Sequence, residues 1–342
     1  MDVAARAGVS KSTVSRVLTG SPRVHPVTRT RIEQAIRDLD YRPNALARGL
    51  VQGRTRTLGM VVNDLANPFF ALLARGARLA ADARGFSMLL VESDGSERHE
   101  RACLAMLAER RVDGVLLASM CPIEVTLDEV RGSGLQVVLV DSVDEDGIVS
   151  SVGTDNRRGG ILATQHLLQL GHRRIAFLGD VKASATAHAR LAGYRLAHKD
   201  ASLEPPEEMI IDDLRHLALV QTAISQAMGL PHPPTAIFSV NDHFAVAALQ
   251  TLDSLGLRVP EDVALVGYDD IPLAAWLSIP LTTVAQPKEE QGRIAADALI
   301  DQIEQRTLAV RIVRLQPRLV VRRSSGASRT DPVPPGLLTS IS

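Results

Sequence analysis

Cysteine is nearly absent: Cys103 and Cys121 are the only two in 342 residues. Two cysteines cannot build a disulfide framework or an all-cysteine zinc site, and they point to a reducing, cytoplasmic setting. Long hydrophobic runs are missing too. No stretch of about 18 uncharged apolar residues occurs, which excludes a membrane-spanning helix. The opening MDVAARAGVSKSTVSR has no apolar core of the kind a secretory signal needs, so export is not expected. Chemistry motifs are also lacking. There is no GxxxxGK(S/T) phosphate loop, no GxSxG elbow and no HExxH, and the histidines are scattered singly. Nothing pairs a nucleophile with a base. A non-enzyme without cofactor or metal is expected. Aromatics make up only 3% of residues, so the adjacent Phe69 and Phe70, two of six phenylalanines, stand out.

What is present is ordinary in bulk but uneven in charge. Hydrophobic residues are 45% and charged residues 23%, typical of a globular chain of two or three folded units. The first 57 residues hold eleven Lys and Arg against four Asp and Glu, whereas the whole chain holds 38 against 39. A basic head on a net acidic body is the electrostatic footprint of a nucleic-acid-binding module joined to something else. The plain alternative is a solvated helical surface.

The head is patterned as three short helices. Val3, Ala4 and Ala7 recur at helical spacing until Gly8 breaks the run. Ser10 is a good N-cap for a second helix carrying Val14, Val17 and Leu18 on one face, and Gly20-Ser21-Pro22 ends it. Val27, Ile32, Ala35, Ile36 and Leu39 make a third stripe, closed by Asp40-Tyr41-Arg42-Pro43. Two helices joined by a Gly-containing turn form a helix-turn-helix whose second helix enters the major groove. Its outward residues are Lys11, Ser12, Ser15 and Arg16. Arg and Lys can form bidentate bonds to guanine, and Ser or Thr can reach bases or phosphates.

DVAARAGVSKSTVSRVLTG followed by DYRPNALARGL resembles the DNA-binding head of the LacI family of bacterial transcription regulators, and the resemblance runs over about residues 2–323. It implies that Lys11, Ser12 and Arg16 read base edges while Thr13, Ser15 and Thr19 hold phosphates. It also implies a hinge helix from Asn44 through Ala47 to Leu50 that orders on DNA and inserts Leu50 into the minor groove. The hinge makes physical sense. Pro43 pre-sets a helix start, the segment is too short to be stable alone, and Gly49 costs it roughly 1 kcal/mol relative to Ala. An apolar wedge there would unstack a base step and bend the duplex; a plain linker with an exposed leucine is the alternative. The family carries a few more residues before Asp2, so a start codon upstream of Met1 is expected. His25-Pro26 replaces the usual Ser-led cap of the third helix.

The body alternates strand-like runs with amphipathic helices. The runs are Leu58–Val62, Ser87–Val91, Gly114–Ala118, Val137–Val140, Ile175–Leu178, Ala236–Val240 and Val263–Val266; the helices include Phe69–Arg84 and Asn156–Leu170. This predicts an α/β body of two parallel-sheet lobes, with a return helix Glu289–Arg306 and a last strand near Ile312–Val321. It resembles the type I periplasmic-binding-protein fold. The expected organisation is a head over 1–43 and a hinge over 44–56. A two-lobed effector-binding and dimerisation domain follows over 57–323 (first lobe about 57–156 and 286–315, second about 157–285 and 316–323), then a disordered tail over 324–342.

Ligands in open α/β sheets bind beyond the carboxyl ends of strands, so residues that follow strands are the candidates. They are Asn67, Phe69 and Phe70 in an NPFF segment, Asp155, Arg190, Asn241, Asp269 and Gln286. The resemblance makes Arg190 the effector-binding arginine. Carboxylates, amides and a guanidinium suit a polyhydroxylated ligand, and an aromatic face can stack on a sugar ring. Asp242 and Asp270 are expected to cap helices or turns, and Cys103 to lie in the core. Trp276 fits either the cleft or a dimer seam. The expected protein is a repressor that binds a palindromic operator as a homodimer and responds to a sugar or sugar derivative. A solute-binding protein without regulatory role and a sugar enzyme are the alternatives.

Overall fold

The computed structural model describes residues 3–18, 22–41, 54–119, 135–182, 184–212, 214, 217–305 and 309–326. Thr19 and the hinge residues Asn44, Ala47 and Leu50 lie outside the described residues. The chain folds as two compact units that divide near Arg56.

The head has three helices, α1 (Val3–Ala7), α2 (Lys11–Leu18) and α3 (Pro26–Asp38). Gly8 adopts a left-handed conformation (φ +59°) that an L side chain would strain, and this reverses the chain after α1. The Ser10 hydroxyl accepts from the Thr13 amide at 3.2 Å, the expected N-cap. Val3, Ala4, Ala7, Val14, Val17, Val24, Ile32 and Ala35 form the core. Val27 does not join it and is exposed, because it lies five residues before Ile32 and so well off that face. His25 makes no capping bond; Pro26 starts α3 instead.

The body holds two six-stranded sheets. The first contains β1 (Thr57–Val62), β2 (Ser87–Glu92), β3 (Gly114–Leu117), β4 (Gln136–Asp141), β5 (Ser150–Thr154) and β11 (Ile312–Leu315), in the order β11-β5-β4-β3-β1-β2. The second contains β6 (Ile175–Leu178), β7 (Ile210–Ile211), β8 (Ala236–Ser239), β9 (Ala264–Asp269), β10 (Thr282–Ala285) and β12 (Arg318–Val320), in the order β12-β10-β9-β8-β6-β7. Central strands are buried on both faces, which explains their unbroken apolar runs. Every pair is parallel except β10–β12. The single last strand expected from sequence is two: only Gln316 and Pro317 separate β11 from β12, and the chain changes lobes there.

The helices are α4 (Pro68–Ala83), α5 (Glu97–Glu109), α6 (Asn156–Gln169), α7 (Ala185–Asp200), α8 (Ala218–Met228), α9 (Asp242–Ser254), α10 (Pro272–Trp276) and α11 (Lys288–Gln305). Cys103 on α5 is half-buried rather than core, its thiol donating to the Glu92 carbonyl at 3.2 Å. Regular structure also continues past the expected tail boundary at 324. Ser324 and Ser325 are buried in a short 3-10 helix, where Ser324 Oγ donates to the Leu265 carbonyl at 2.6 Å and Ser325 Oγ lies 2.9 Å from Thr282 Oγ1.

Candidate functional site

A cavity of about 330 Å³ opens between the two lobes at the carboxyl ends of their strands. The first lobe contributes Asn67, Phe69, Phe70 and Asp141, and the second contributes Arg190, Asn241 and Asp269. Six of the eight residues expected from sequence therefore line one cavity.

Helix starts place several of them. Asn67 caps α4 by accepting from the Phe69 amide at 3.0 Å, and Pro68 at the first position pre-sets the turn. Phe69 and Phe70 are buried edge to face, with centroids 5.1 Å apart. They give the first lobe an apolar wall opposite Leu214, Leu217 and Phe244 of the second. Asn241 caps α9 by accepting from Phe244 N at 2.8 Å.

Arg190 is the centre of the site. It is 5% exposed, its guanidinium lies 3.7 Å over the Tyr268 ring, and two donors are fixed: Nε to Asn156 Oδ1 at 2.8 Å and Nη1 to the Val240 carbonyl at 2.7 Å. Close packing of α6 on α7 makes this possible. A Cβ on Gly160 would sit 2.1 Å from the Arg190 carbonyl oxygen, and one on Gly193 would sit 2.1 Å from that of Arg157.

Two carboxylates share the cavity with the guanidinium and feel its charge. Asp269 ends β9 and Asp141 ends β4, both at positive φ (+108° and +72°), a strain that persists where surrounding structure fixes it. Gln286 Nε2 donates to Asp269 Oδ1 at 2.7 Å, and Lys288 Nζ donates to the carbonyls of Asp269 (2.6 Å) and Asp270 (2.8 Å). Burial pushes the Asp141 carboxyl up to about 6 against the pull of Arg190. It raises Asp269 as well, opposed by Arg190 and Gln286. Asp141 Oδ1 is buried without a hydrogen-bond partner. Asp141 also lines the cavity, and a carboxylate there can accept from a ligand hydroxyl.

Asp155 and Gln286 are not cavity residues. Asp155 caps α6 through the Arg158 amide at 2.9 Å; Gln286 stands behind Asp269. The expected caps also differ. Asp242 is fully buried, accepting from Ile271 N (2.9 Å) and Thr283 Oγ1 (2.6 Å) beneath the Asp269 turn; burial and Asp269 raise its pKa. Asp270 accepts from Arg322 Nη2 at 2.7 Å. Trp276 is 78% exposed on α10 and does not line the cavity. Sequence reasoning missed Asp141, Asp64 and His243. Asp64 Oδ2 and His243 Nδ1 approach to 3.7 Å across the mouth, and this contact holds the Asp64 carboxyl below its ordinary value.

In the head, α2 exposes Lys11, Ser12 and Arg16 and half-exposes Thr13 and Ser15. Ser12 Oγ lies 2.8 Å from Ser10 Oγ, so the capping serine also orients a candidate base-reading hydroxyl.

A helix-turn-helix head joined to a body of two parallel-sheet lobes with a cavity between them defines a DNA-binding transcriptional regulator. Comparison with known proteins supplies the family. Residues 1–44 match the bacterial regulatory proteins of the lacI family, and residues 164–325 match a periplasmic binding protein-like domain. The chain is 38% identical over 325 residues to the ribose operon repressor of Escherichia coli, covering 95% of this chain and 98% of that one. It is 35% identical over 324 residues to the HTH-type transcriptional repressor PurR of Photobacterium profundum, covering 94% and 97%. It also superposes on the transcriptional regulator CelR–cellobiose complex with a TM-score of 0.70 and 35% identity, covering 94% and 98%. The chain belongs to the LacI family of bacterial transcription regulators. No helix among the described residues is long and apolar enough to cross a membrane.

Proposed function

We propose that this protein is a cytoplasmic, non-enzymatic repressor whose operator affinity is set by a sugar or sugar derivative bound between the lobes. The observation that carries the effector assignment is the convergence of Arg190, Asp141 and Asp269 with a buried Phe pair on one cavity. A planar donor fork, two acceptors and an apolar wall match a ring with hydroxyls on its edge and C–H groups on its face. Names among its relatives, a ribose operon repressor and a cellobiose complex, point the same way. Asn67, Phe69, Phe70, Arg190, Asn241 and Asp269 touch the effector; Asp155 and Gln286 act from behind, by positioning α6 and Asp269.

On DNA, Lys11, Ser12 and Arg16 read base edges in the major groove, Thr13, Ser15 and Thr19 hold phosphates, and the hinge from Asn44 through Ala47 presents Leu50 to the minor groove. A homodimer supplies two heads for a palindromic operator. Exposed Leu89 and Leu90 on the edge strand β2, with exposed Leu79 on α4 beside it, are apolar surface that a second copy would cover. Operator selection from random duplexes followed by anisotropy titration tests this directly. Leu50→Ala should weaken operator binding with effector affinity nearly intact; an unchanged operator affinity removes the wedge.

A further inference from the structure

We propose that the interlobe cleft selects against negative charge, so that its effector is an uncharged polyhydroxylated molecule, and that Asp64 and Asp94 at the mouth reject phosphorylated or carboxylated forms. This rests on the effector assignment above and narrows its chemistry.

The charged groups around the cavity are unbalanced. Among the described lining residues there are five aspartates (Asp64, Asp94, Asp141, Asp180 and Asp269), one arginine and no lysine. Arg190 is already engaged. Asn156 and the Val240 carbonyl take two of its donors, Tyr268 takes one face, and Asp141 and Asp269 both feel its charge. An incoming phosphate would find its positive partner offset by two carboxylates. Lys288, behind Asp269, is committed to the carbonyls of Asp269 and Asp270 and is not among the residues lining the cavity.

Helix N-termini are the other means of holding an anion. Three of them meet the cavity, those of α4, α7 and α9. Each is closed by its own neutral cap: Asn67 accepts from Phe69 N (3.0 Å), Ser184 from Ala187 N (3.2 Å) and Asn241 from Phe244 N (2.8 Å). The amides that would cradle a phosphate are thus partly taken within the protein.

Toward solvent, Asp64 and Asp94 stand on the exposed side of the cavity, with His243 paired to Asp64. Juxtaposed like charges suppress wrong partners strongly. A hydroxyl meets no such barrier, because every carboxylate here is an acceptor for it. Asp141, which also lines the cavity, is an acceptor that suits a hydroxyl donor rather than an ester phosphate ionised at neutral pH.

The test is titration calorimetry on the full-length protein at pH 7.5 and low salt with matched pairs: D-ribose against D-ribose 5-phosphate, and cellobiose against cellobionic acid. In any pair that binds, the neutral member should bind about 30-fold or more tightly than the anionic one. Asp64→Asn/Asp94→Asn, which neutralises two solvent-accessible positions, should narrow that ratio by about threefold to tenfold. An anionic member that binds as well as its neutral partner and shifts operator affinity overturns the charge selection while leaving the effector assignment standing. A ratio unchanged in the double variant removes Asp64 and Asp94 as its source. If neither half of either pair binds while operator binding is intact, the sugar assignment and this inference fail together.

Discussion

Asp141 and Asp269 end strands of opposite lobes and line the same cavity as Arg190. Burial holds Asp141 near 6 and raises Asp269 in the same direction. In the empty protein this raised value contributes stability that is present below the ordinary carboxylate range and lost as pH rises through about 6. Hydroxyls donating to the ionised carboxylates favour the charged form, so bound effector lowers both pKa values and releases protons. Effector affinity should therefore fall as pH drops from 7.5 to 5.5, by about threefold to tenfold. Calorimetry in two buffers of different ionisation enthalpy should record the released proton. A pH-independent affinity with no proton release contradicts this. Asn67, Asn241 and Asp269 were legible in the sequence because cavity residues follow strand ends, whereas Arg190, inside α7, was marked only by the family resemblance. Asp141 escaped because the apolar run ends at Val140 while β4 continues one residue further. Asp155 was misplaced for a related reason: the same position after a strand serves a helix cap or a cavity, and only the crossing of α6 decides which. His243 and Asp64 carry no sequence signal for each other; they meet because the two lobes face each other.

At the level of elements, the crossing of α6 on α7 holds the site in register. Gly160→Ala would drive a methyl against the Arg190 carbonyl. Backbone cannot yield cheaply, so a loss of roughly 1–3 kcal/mol in stability is expected, with weakened effector binding, since Arg190 must shift. Chemical denaturation and effector titration of one sample check both; a variant as stable and as responsive as the parent removes the crossing from the account. The end of the body is pinned by His166, whose Nε2 lies 2.9 Å from Ser325 Oγ. Burial, with His172 nearby, lowers His166 to about 4. Its contribution is present above the ordinary histidine value of 6.5 and lost as pH falls toward 4. The melting temperature of the parent should drop between pH 7 and 5 more steeply than that of His166→Gln; parallel profiles would refute this. Some elements were not readable in advance. β5 is Ser150-Ser151-Val152-Gly153-Thr154, fully buried yet polar and small. It has no apolar run because hydrogen bonds satisfy it: Gln302 Nε2 donates to Ser150 Oγ at 2.6 Å, and Ser151 Oγ accepts from Asp144 N at 3.0 Å. β10 is similar, with Thr283 bonded to buried Asp242.

For the whole molecule, a basic head that binds DNA is joined to a two-lobed body that binds a small molecule. The effector can change operator affinity only by its differential affinity for two lobe arrangements. Because a basic head on DNA displaces condensed counterions, operator affinity should fall by about tenfold or more between 50 and 200 mM salt. Effector affinity, which involves an uncharged ligand in a buried cleft, should change far less over the same range; equal salt dependence of the two would contradict the division of labour. The most direct test of the central claim is operator anisotropy with the full-length protein, titrated with neutral sugars, for the parent and for Arg190→Ala. The account predicts that one sugar shifts the parent's operator affinity by about tenfold or more, while Arg190→Ala binds operator as the parent does and does not respond. An Arg190→Ala variant that responds as fully as the parent would contradict it.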